Sequence, residues 1–391
     1  MRTIHLDYGA SKPLRPEVVE AMTPYFVQKH GNPSSLYTLG LEAREALEKS
    51  KETVAYLIGA KKEELIFTSG GTESNNLAIK GVAYRNRTRG DRIITSVIEH
   101  MSVINTCKYV GRQGFKVTFL PVDKYGIVNV EPLRKEIDAK TILVSVMYAN
   151  GEIGTVQPIR EISEIVHSNN AYFHVDAVAA AGQIPIDVNK DNIDLLSLSS
   201  NDLYGPKGVG ALYIREGTKI EPTLHGGGQE RGLRSGTENM AGIVGFAKAA
   251  EIAEKEIENE GCQLEKLRDK LITEVLPTIK ESYLNGHPTM RLPNNANIRF
   301  SYIEGESLIL SLDAEGISVS SGSACTSKTL EPSHVLLAIG LAHEEAHGSL
   351  AFTLGRENVE EDINHVISVL PGIVRRLRMI SPLTPKNLQE G

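Results

Sequence analysis

The segment FTSGGTESNNLAIKG (67–81) places a glycine turn between a strand-like run and a helix-like run. Free amides at a helix N-terminus, together with the hydroxyl group of Thr72, would form a cradle for an anion such as a phosphate. A plain tight turn explains the same glycines about as well, because a GGT turn alone is a weak signal. Gly71 and Thr72 are therefore candidate anion-binding residues.

Two other strand-like runs lead into side chains that titrate or stack. His100 ends the segment VIEH, and Asp176 lies in the segment HVDA. An aspartate in that place could hold a proton on a pyridine nitrogen, and the histidine could stack on an aromatic ring. Taken singly, a helix N-cap for Asp176 and a satisfied core histidine for His100 are the more ordinary interpretations.

Two loops carry further candidates. The run SVSSGSACTSKT (318–329) consists of small residues around Cys325, which predicts an exposed loop from which the thiol can reach out and react. A buried cysteine in a tight turn remains the alternative. The segment HGGGQERGLRSGTEN (225–239) is rich in glycine and arginine, which suits a loop that contacts phosphate or a neighbouring subunit.

Short β-branched runs alternate with amphipathic segments along the first part of the chain. This alternation predicts a mostly parallel sheet with helices on both faces, and ligands bind such sheets at the carboxyl ends of the strands. Asn150 and the pair Asn201–Asp202 follow strand-like runs in the same way as His100 and Asp176. The runs are 64–69, 92–96, 116–122, 142–148, 172–177, 194–199 and 210–214, and the helical segments are 74–86, 101–112 and 158–169.

The chain has 391 residues, enough for a large domain and a smaller one. A long helical pattern at 240–280 predicts a connector, so we expect a large domain at 15–255 and a small domain at 256–391, joined by residues 1–14. The net charge of −7 argues against a general nucleic-acid binder, and no apolar run is long enough to span a membrane. Three widely spaced cysteines and the lack of a visible secretory signal favour the cytoplasm.

Taken together, these motifs resemble the NifS/IscS-type cysteine desulfurases, pyridoxal-phosphate enzymes of the class-V aminotransferase family. The matching segments run through nearly the whole chain, and the SSGSAC loop is similar to the long-loop branch, whose cysteine delivers sulfur to partner proteins. The resemblance implies an α/β fold of the aspartate-aminotransferase type (fold type I), with a seven-stranded, mostly parallel sheet in the large domain and a smaller C-terminal α/β domain. Besides those above, the segments are LDYGASKP, GNPSS, NGEIGTVQPI, YGPKGVGALY and LGR.

The resemblance also implies roles for single residues. His100 would stack on the cofactor ring, Asp176 would pair with the ring nitrogen, and Cys325 would carry sulfur as a persulfide. Thr237 would reach the phosphate in the other subunit, which implies a homodimer with shared sites. The remaining candidates for holding the cofactor are Gly71, Thr72, Asn150 and Ser199.

The chain departs from the family pattern at several positions that we expect to share one pocket. The lysine that binds the cofactor covalently is replaced by Asp202, and the substrate-gripping arginine by Ala351. The other replacements are the histidine at Asn201, the glutamine at Ala179 and the second asparagine at Gly151. Outside that group, Tyr37 replaces a histidine.

These losses change the expected chemistry. A carboxylate cannot form an imine, and Asp202 adds negative charge near the anionic oxygens of the cofactor. General acid–base catalysis contributes roughly 10²–10⁴-fold, so without the lysine we expect weak or absent desulfurase activity.

Three hypotheses then compete. In the first, the chain serves iron–sulfur cluster assembly, and Cys325 accepts sulfur or is a ligand of a 2Fe-2S cluster shared with an IscU-type scaffold protein. In the second, it is an active desulfurase that converts L-cysteine to L-alanine and a persulfide with non-covalently bound pyridoxal phosphate. In the third, His100, Asp176 and Asp202 hold a divalent metal.

Overall fold

The computed structural model describes residues 3–321 and 332–389. The strands are β1 (Ile4–His5), β2 (Leu65–Thr68), β3 (Arg92–Ser96), β4 (Lys116–Leu120), β5 (Thr141–Met147), β6 (Tyr172–Asp176), β7 (Leu195–Ser199), β8 (Gly210–Ile214), β9 (Ser282–Asn285), β10 (Asn295–Phe300), β11 (Ile317–Ser318) and β12 (Ser349–Thr353). The α-helices are α1 (Pro16–Met22), α2 (Pro24–Val27), α3 (Thr38–Leu57), α4 (Gly71–Arg85), α5 (Met101–Arg112), α6 (Val130–Glu136), α7 (Ile159–Ser168), α8 (Met240–Thr278), α9 (Gly305–Asp313), α10 (His334–Ala338), α11 (His343–His347), α12 (Glu360–Ile380) and α13 (Lys386–Gln389).

A seven-stranded sheet forms the centre of the larger part, in the order β2-β8-β7-β6-β5-β3-β4. Neighbouring strands from β4 to β7 run parallel, whereas β8 is antiparallel to both β7 and β2. These seven strands are the seven runs that the sequence predicts, so the fold class is confirmed. The carboxyl ends of β5, β6 and β7 therefore lie side by side at one edge of the sheet.

Both faces of this sheet are covered, which explains why its central strands are apolar along their whole length. Every residue of β5, β7 and β8 is buried. On one face, Phe67 and Val144 pack with residues of α3 and α7. On the other face, Ile66 and Leu143 pack with residues of α4 and α5. The two helix layers fix the sheet and hence the loops at its edge.

The smaller part has its own core around the antiparallel sheet β12-β10-β9. Helices α9 and α12 contribute buried leucines and isoleucines to this core, among them Leu308 and Ile363. Ile4 and Leu6 are buried in the same core, and β1 pairs in parallel with β11. The start of the chain thus packs with the end of the chain.

Helix α8 connects the two parts. Its first turns, including Phe246, belong to the core under the large sheet, and later positions such as Leu271 belong to the second core. The predicted boundary at 255/256 falls between these two groups. Within residues 3–321 and 332–389, no helix is both long and apolar enough to cross a membrane.

Candidate functional site

A cavity of about 420 Å³ opens at the carboxyl edge of the large sheet. Its walls come from the ends of β5, β6 and β7, the first turns of α4 and α5, the start of the chain and β12. Six predicted cofactor residues line it: Gly71, Thr72, His100, Asn150, Asp176 and Ser199. The cavity also contains the five positions at which the chain departs from the family pattern, namely Gly151, Ala179, Asn201, Asp202 and Ala351.

The glycine turn before α4 leaves space at the helix N-terminus. Gly70 has a φ of +146°, a conformation that favours glycine, and nothing lies within 4 Å of the place where its Cβ would be. A Cβ on Gly71 would lie 2.5 Å from Cγ2 of Val178, so this close approach needs glycine. The first amides of α4 have no partner within the helix, and they are available to an anion in the cavity.

His100 is the N-cap of α5. Its Nδ1 atom accepts from the amide of Ser102 at 3.1 Å and is 2.7 Å from the Ser102 hydroxyl group, so the ring proton belongs on Nε2. The side chain is exposed, which excludes a satisfied core histidine. The ring therefore lines the cavity and is accessible to a ligand there.

Asp176, at the end of β6, is fixed by its neighbours. Its Oδ2 atom accepts from Nδ2 of Asn75 at 2.7 Å, and its Oδ1 atom accepts from the amide of Val178 at 3.0 Å. Each carboxylate oxygen can accept a further hydrogen bond. Asp176 is thus oriented within the cavity wall and retains capacity for one protonated nitrogen of a ligand.

Ser199, Asn201 and Asp202 form a chain of hydrogen bonds after β7. The Ser199 hydroxyl donates to Oδ1 of Asn201 at 2.6 Å, and Nδ2 of Asn201 donates to Oδ2 of Asp202 at 2.9 Å. Burial is the main reason that the pKa of Asp202 is raised, to about 6. The charge of Asp176 also raises this pKa, whereas Lys12 and Ser199 lower it. The place of the family lysine therefore holds an acid group that is ionised at neutral pH.

Asn150 lines the cavity, but its amide is used within the protein. Its Oδ1 atom accepts from the amides of Glu152 and Ile153, each at 3.0 Å, and its Nδ2 atom donates to the carbonyl oxygen of Ile98 at 3.0 Å. This asparagine therefore shapes the turn after β5. Its direct contact with a cofactor stays a prediction.

The other departures remove polar groups from the cavity wall. A Cβ on Gly151 would lie 3.4 Å from that of Ala179, so two polar side chains of the family pattern are missing at neighbouring points. Ala351 is buried in β12, where it pairs with Asn297 of β10. None of the three residues has a side chain that could form a hydrogen bond with a substrate. Tyr37, by contrast, is exposed and outside the lining residues.

The cavity wall also contains two buried glutamates that the sequence does not indicate as site residues. Burial raises the pKa of Glu99 to about 8, although Ser96 and the amide of Met147 donate to its Oε1 atom at 2.6 and 3.0 Å. Burial also raises the pKa of Glu152 to about 7. The segments EH and NGE contain these residues, but nothing in the sequence shows that their carboxyl groups are buried.

Lys12 and His334 also reach the cavity from outside the large sheet. Lys12 is buried, and its Nζ atom donates to the main-chain oxygen of Asp202 at 2.6 Å. Nε2 of His334 lies 3.0 Å from the carbonyl oxygen of Glu99. The only sequence signal for Lys12 is a lysine within an apolar and small-residue segment, LDYGASKP.

Two predicted site residues are not brought to this cavity. Thr237 has an exposed side chain in the loop before α8 and does not line the cavity. Its contact with a second subunit stays a prediction. Cys325 lies outside the described residues, and so does its predicted cluster-binding role.

The alternative metal site at His100, Asp176 and Asp202 is wrong for the part of the chain that the structure describes. No group of three or more metal-ligating side chains is found there. The physical reason is that hydrogen bonds within the protein already hold the three side chains: Ser102 and Asn75 connect His100 to Asp176, and Asn201 donates to Asp202.

Comparison with known proteins agrees with this geometry. Residues 4–366 match the family model described as "Aminotransferase class-V". "Cysteine desulfurase IscS 1" of Archaeoglobus fulgidus is 57% identical over 379 residues, which cover 97% of this chain and 99% of that protein. "Cysteine desulfurase IscS" of Methanosarcina thermophila is also 57% identical, over 98% of this chain and 95% of that protein.

This chain belongs to the NifS/IscS-type cysteine desulfurase family. Among solved structures, one described as "NIFS-LIKE PROTEIN" has a TM-score of 0.90 at 39% identity and covers 96% of this chain and 100% of its own. The resemblance inferred from the motifs is thereby confirmed. Family membership implies pyridoxal phosphate as the cofactor.

The cavity fits such a cofactor in part. The space beside Gly70 and Gly71 suits a phosphate group. Five residues that line the cavity each have a buried side-chain oxygen without a hydrogen-bond partner, namely Asn75, Glu99, Glu152, Gln183 and Asn294. Buried polar atoms of this kind are expected where a ligand binds. At position 202, however, a carboxylate replaces the amine that would hold the cofactor covalently.

Proposed function

We propose that this chain serves iron–sulfur cluster assembly as a desulfurase-family protein whose own turnover of L-cysteine is weak or absent. The observation that carries the proposal is the hydrogen-bonded carboxylate of Asp202 in the cavity wall. A carboxyl group has no amine nitrogen that could form an imine with the cofactor aldehyde, and with a pKa of about 6 it adds negative charge to the cavity at neutral pH.

The lack of a substrate anchor supports the same proposal. Ala351 is buried in β12 and carries no charge, so the carboxylate of L-cysteine meets no arginine there. Removing a bidentate arginine partner from a desolvated carboxylate costs on the order of 2–5 kcal/mol of binding. Glu99 and Glu152 add acid groups to the same wall, and any ionised fraction repels that carboxylate.

Pyridoxal phosphate, when bound, supplies an electron sink for bonds at the substrate Cα. In this chain Gly71, Thr72 and Ser199 would hold its phosphate, His100 would stack on its ring and Asp176 would accept a hydrogen bond from its ring nitrogen. These contacts are non-covalent, so the cofactor exchanges with solution. Thr237 of a second subunit completes the phosphate site, which makes the homodimer the functional unit.

Sulfur or cluster handling then rests on Cys325. Its thiolate takes sulfane sulfur from a persulfide donor, whose own thiolate leaves, or it binds iron of a nascent 2Fe-2S cluster that an IscU-type scaffold shares, in the cytoplasm. This assignment is made because the segment that contains Cys325 is retained, although the cavity lacks the lysine amine at Asp202 and the substrate-binding arginine at Ala351. Cluster iron is the cargo of this reaction and not a resident metal.

The test follows cluster formation on a scaffold protein supplied with iron and sulfide. Addition of the wild-type chain should speed or stabilise the cluster, and Cys325→Ser should abolish that effect. Cys262→Ser is the matched control, because Cys262 is an exposed free cysteine on α8 and should be dispensable. An unchanged Cys325→Ser variant would remove the basis of the proposal.

A second candidate is an active desulfurase with non-covalent cofactor, favoured by the retained phosphate cradle and by His100 and Asp176. Formation of L-alanine from L-cysteine at the rate of an ordinary desulfurase would establish it. We expect a rate lower by roughly 10²-fold or more, because no lysine is positioned at residue 202 for proton transfer at Cα.

A further inference from the structure

The loop at residues 225–239 is tied to α4, the helix whose N-terminus forms the anion site. Nε of Arg234, in this loop, donates to Oε1 of Glu73 at 2.9 Å. Glu73 belongs to the first turn of α4, and its Oε2 atom accepts from the amide of Ser69 at 2.7 Å. One carboxylate therefore holds the glycine turn with one oxygen and the loop with the other.

A second anchor ties the same loop to β2, the strand before the glycine turn. Glu230 is buried, and its Oε2 atom accepts from the amide of Phe67 at 3.0 Å and lies 3.1 Å from Nζ of Lys51. Glu230 and Arg231 have φ values of +47° and +58°, a conformation that persists in such residues only where surrounding contacts impose it. The loop is thus fixed on both sides of the glycine turn.

The part of the loop that follows Arg234 points away from its own cavity. Thr237 lies between Arg234 and Asn239, the N-cap of α8, whose Oδ1 atom accepts from the amide of Gly242 at 3.1 Å. The Thr237 side chain is exposed and does not line the cavity of its own chain. A stretch that is anchored at both ends and exposed in the middle can present this hydroxyl group to another molecule.

We propose that Glu73 and Arg234 are positioning residues for the neighbouring site: their ion pair holds Thr237 where it completes the phosphate site of the partner subunit. The inference rests on the proposed function, in which two subunits bind pyridoxal phosphate in shared sites. Glu73 and Arg234 do not line the cavity, so they act through Thr237 and not by contact with the cofactor.

The expected effect is on binding and not on folding. The side chains of Arg234 and Glu73 are 21% and 22% exposed, and an ion pair so close to solvent contributes little to stability. It does fix the position of the loop before the ligand arrives. A loop that is already in place loses less conformational freedom on binding, which strengthens the binding of the phosphate.

The experiment uses mixed dimers of the full-length protein, purified from two differently tagged chains and dialysed against pyridoxal phosphate. Thr72→Asp disables the phosphate site of one chain, so each dimer has one working site. Thr72 is exposed in the first turn of α4, where an aspartate is tolerated, and its carboxylate would repel the phosphate.

Arg234→Met is then placed on either chain. On the chain that carries Thr72→Asp, it alters the loop that serves the working site, and we expect the Kd to rise ~10-fold because the phosphate loses a hydrogen-bond donor. On the chain with the working site, it alters only the loop that serves the disabled site. The Kd should then stay within about twofold of that of the dimer with Thr72→Asp alone.

Two further variants identify the route of the effect. Glu73→Gln keeps an oxygen for the Ser69 amide but loses the charge that holds Arg234, so it should give the same pattern as Arg234→Met. Adding Arg234→Met to a chain that already carries Thr237→Ala and Thr72→Asp should weaken binding no further, because the arginine acts through Thr237.

Arg160→Met is the matched control. Nε of Arg160 also donates to a carboxylate at 2.9 Å, that of Asp191, and neither residue lines the cavity. Its replacement should leave the Kd unchanged on either chain.

Several results would overturn the inference. A weaker working site when Arg234→Met is on its own chain would show that the pair supports its own phosphate site, and an unchanged Kd in both dimers would show that it positions nothing. Failure of both the Arg234→Met and Glu73→Gln chains to form dimers would make the pair structural. A wild type that is monomeric or binds no pyridoxal phosphate would end this inference together with that part of the proposed function, whereas the other results end this inference alone.

Discussion

At the scale of single residues, the cavity wall contains three carboxyl groups whose pKa values lie well above those of free side chains: about 8 for Glu99, 7 for Glu152 and 6 for Asp202. Burial is the largest cause for each. Such a group favours folding while it is protonated. That contribution is complete below the pKa of the unfolded chain and is lost as the pH rises through the folded value.

For Glu99 this window extends from about pH 4.5 to about pH 8. We predict that Glu99→Gln raises the free energy of unfolding at pH 9 by ~2 kcal/mol or more and changes it little at pH 5. Glutamine keeps an oxygen that accepts from Ser96 and Met147. Urea unfolding at the two pH values measures this. Equal effects at both would contradict the raised pKa.

Cavity residues that belong to a recognisable motif could be predicted from the sequence. Those whose properties depend on burial, namely Glu99, Glu152 and Lys12, could not. Asp176 and His100 end strand-like runs, so their shared position at the sheet edge follows from strand order. Lys12 is 190 residues from Asp202 in the chain, and their contact exists only because the N-terminal segment folds over the cavity. No local pattern encodes such a contact.

At the scale of elements, the N-terminus of α4 determines where an anion binds. Gly71→Ala would place a methyl group 2.5 Å from Cγ2 of Val178. We predict a loss of ~1–3 kcal/mol in the free energy of unfolding and weaker pyridoxal-phosphate binding, because Val178 or the helix must shift. Calorimetry and dialysis measure the two effects.

The control for this prediction is Gly372→Ala in α12. A Cβ there meets nothing within 4 Å, so the substitution should stabilise the protein by ~0.5–1 kcal/mol through helix propensity alone. Adding Val178→Ala to Gly71→Ala should restore part of the cofactor affinity. If it restores none, crowding by Val178 is not the cause.

The elements themselves were largely predictable. Strands buried on both faces give continuous apolar runs such as TILVSVM, and these runs stand out in the sequence. The antiparallel direction of β8 could not be predicted from the sequence. The short turn YGPKGVG indicates a change of direction only when the strands that pair with β8 are known. The role of α8 in two cores likewise depends on tertiary packing.

At the scale of the whole molecule, the segment 24–41 exposes several large apolar side chains. Phe26, Val27, Leu36 and Tyr37 are 63–83% exposed. Apolar side chains concentrated in one segment in this way mark an interaction surface, and the proposed homodimer would cover them.

We predict that Leu36→Glu shifts the protein from dimer to monomer in sedimentation at micromolar concentration and weakens cofactor binding, because Thr237 of the partner is lost from the phosphate site. Leu310→Glu, at another highly exposed leucine on α9, should leave the dimer intact. A dimer that tolerates Leu36→Glu would place the interface elsewhere.

The most direct test of the whole account is the reaction of the purified protein with pyridoxal phosphate and L-cysteine, with L-alanine as the readout. We predict bound cofactor that dialysis removes completely and little or no alanine from the wild type. Asp202→Lys should retain cofactor through dialysis yet stay poorly active, since Ala351 still offers no anchor for the substrate carboxylate. Alanine formation by the wild type at an ordinary desulfurase rate, or full activity from Asp202→Lys alone, would contradict the account.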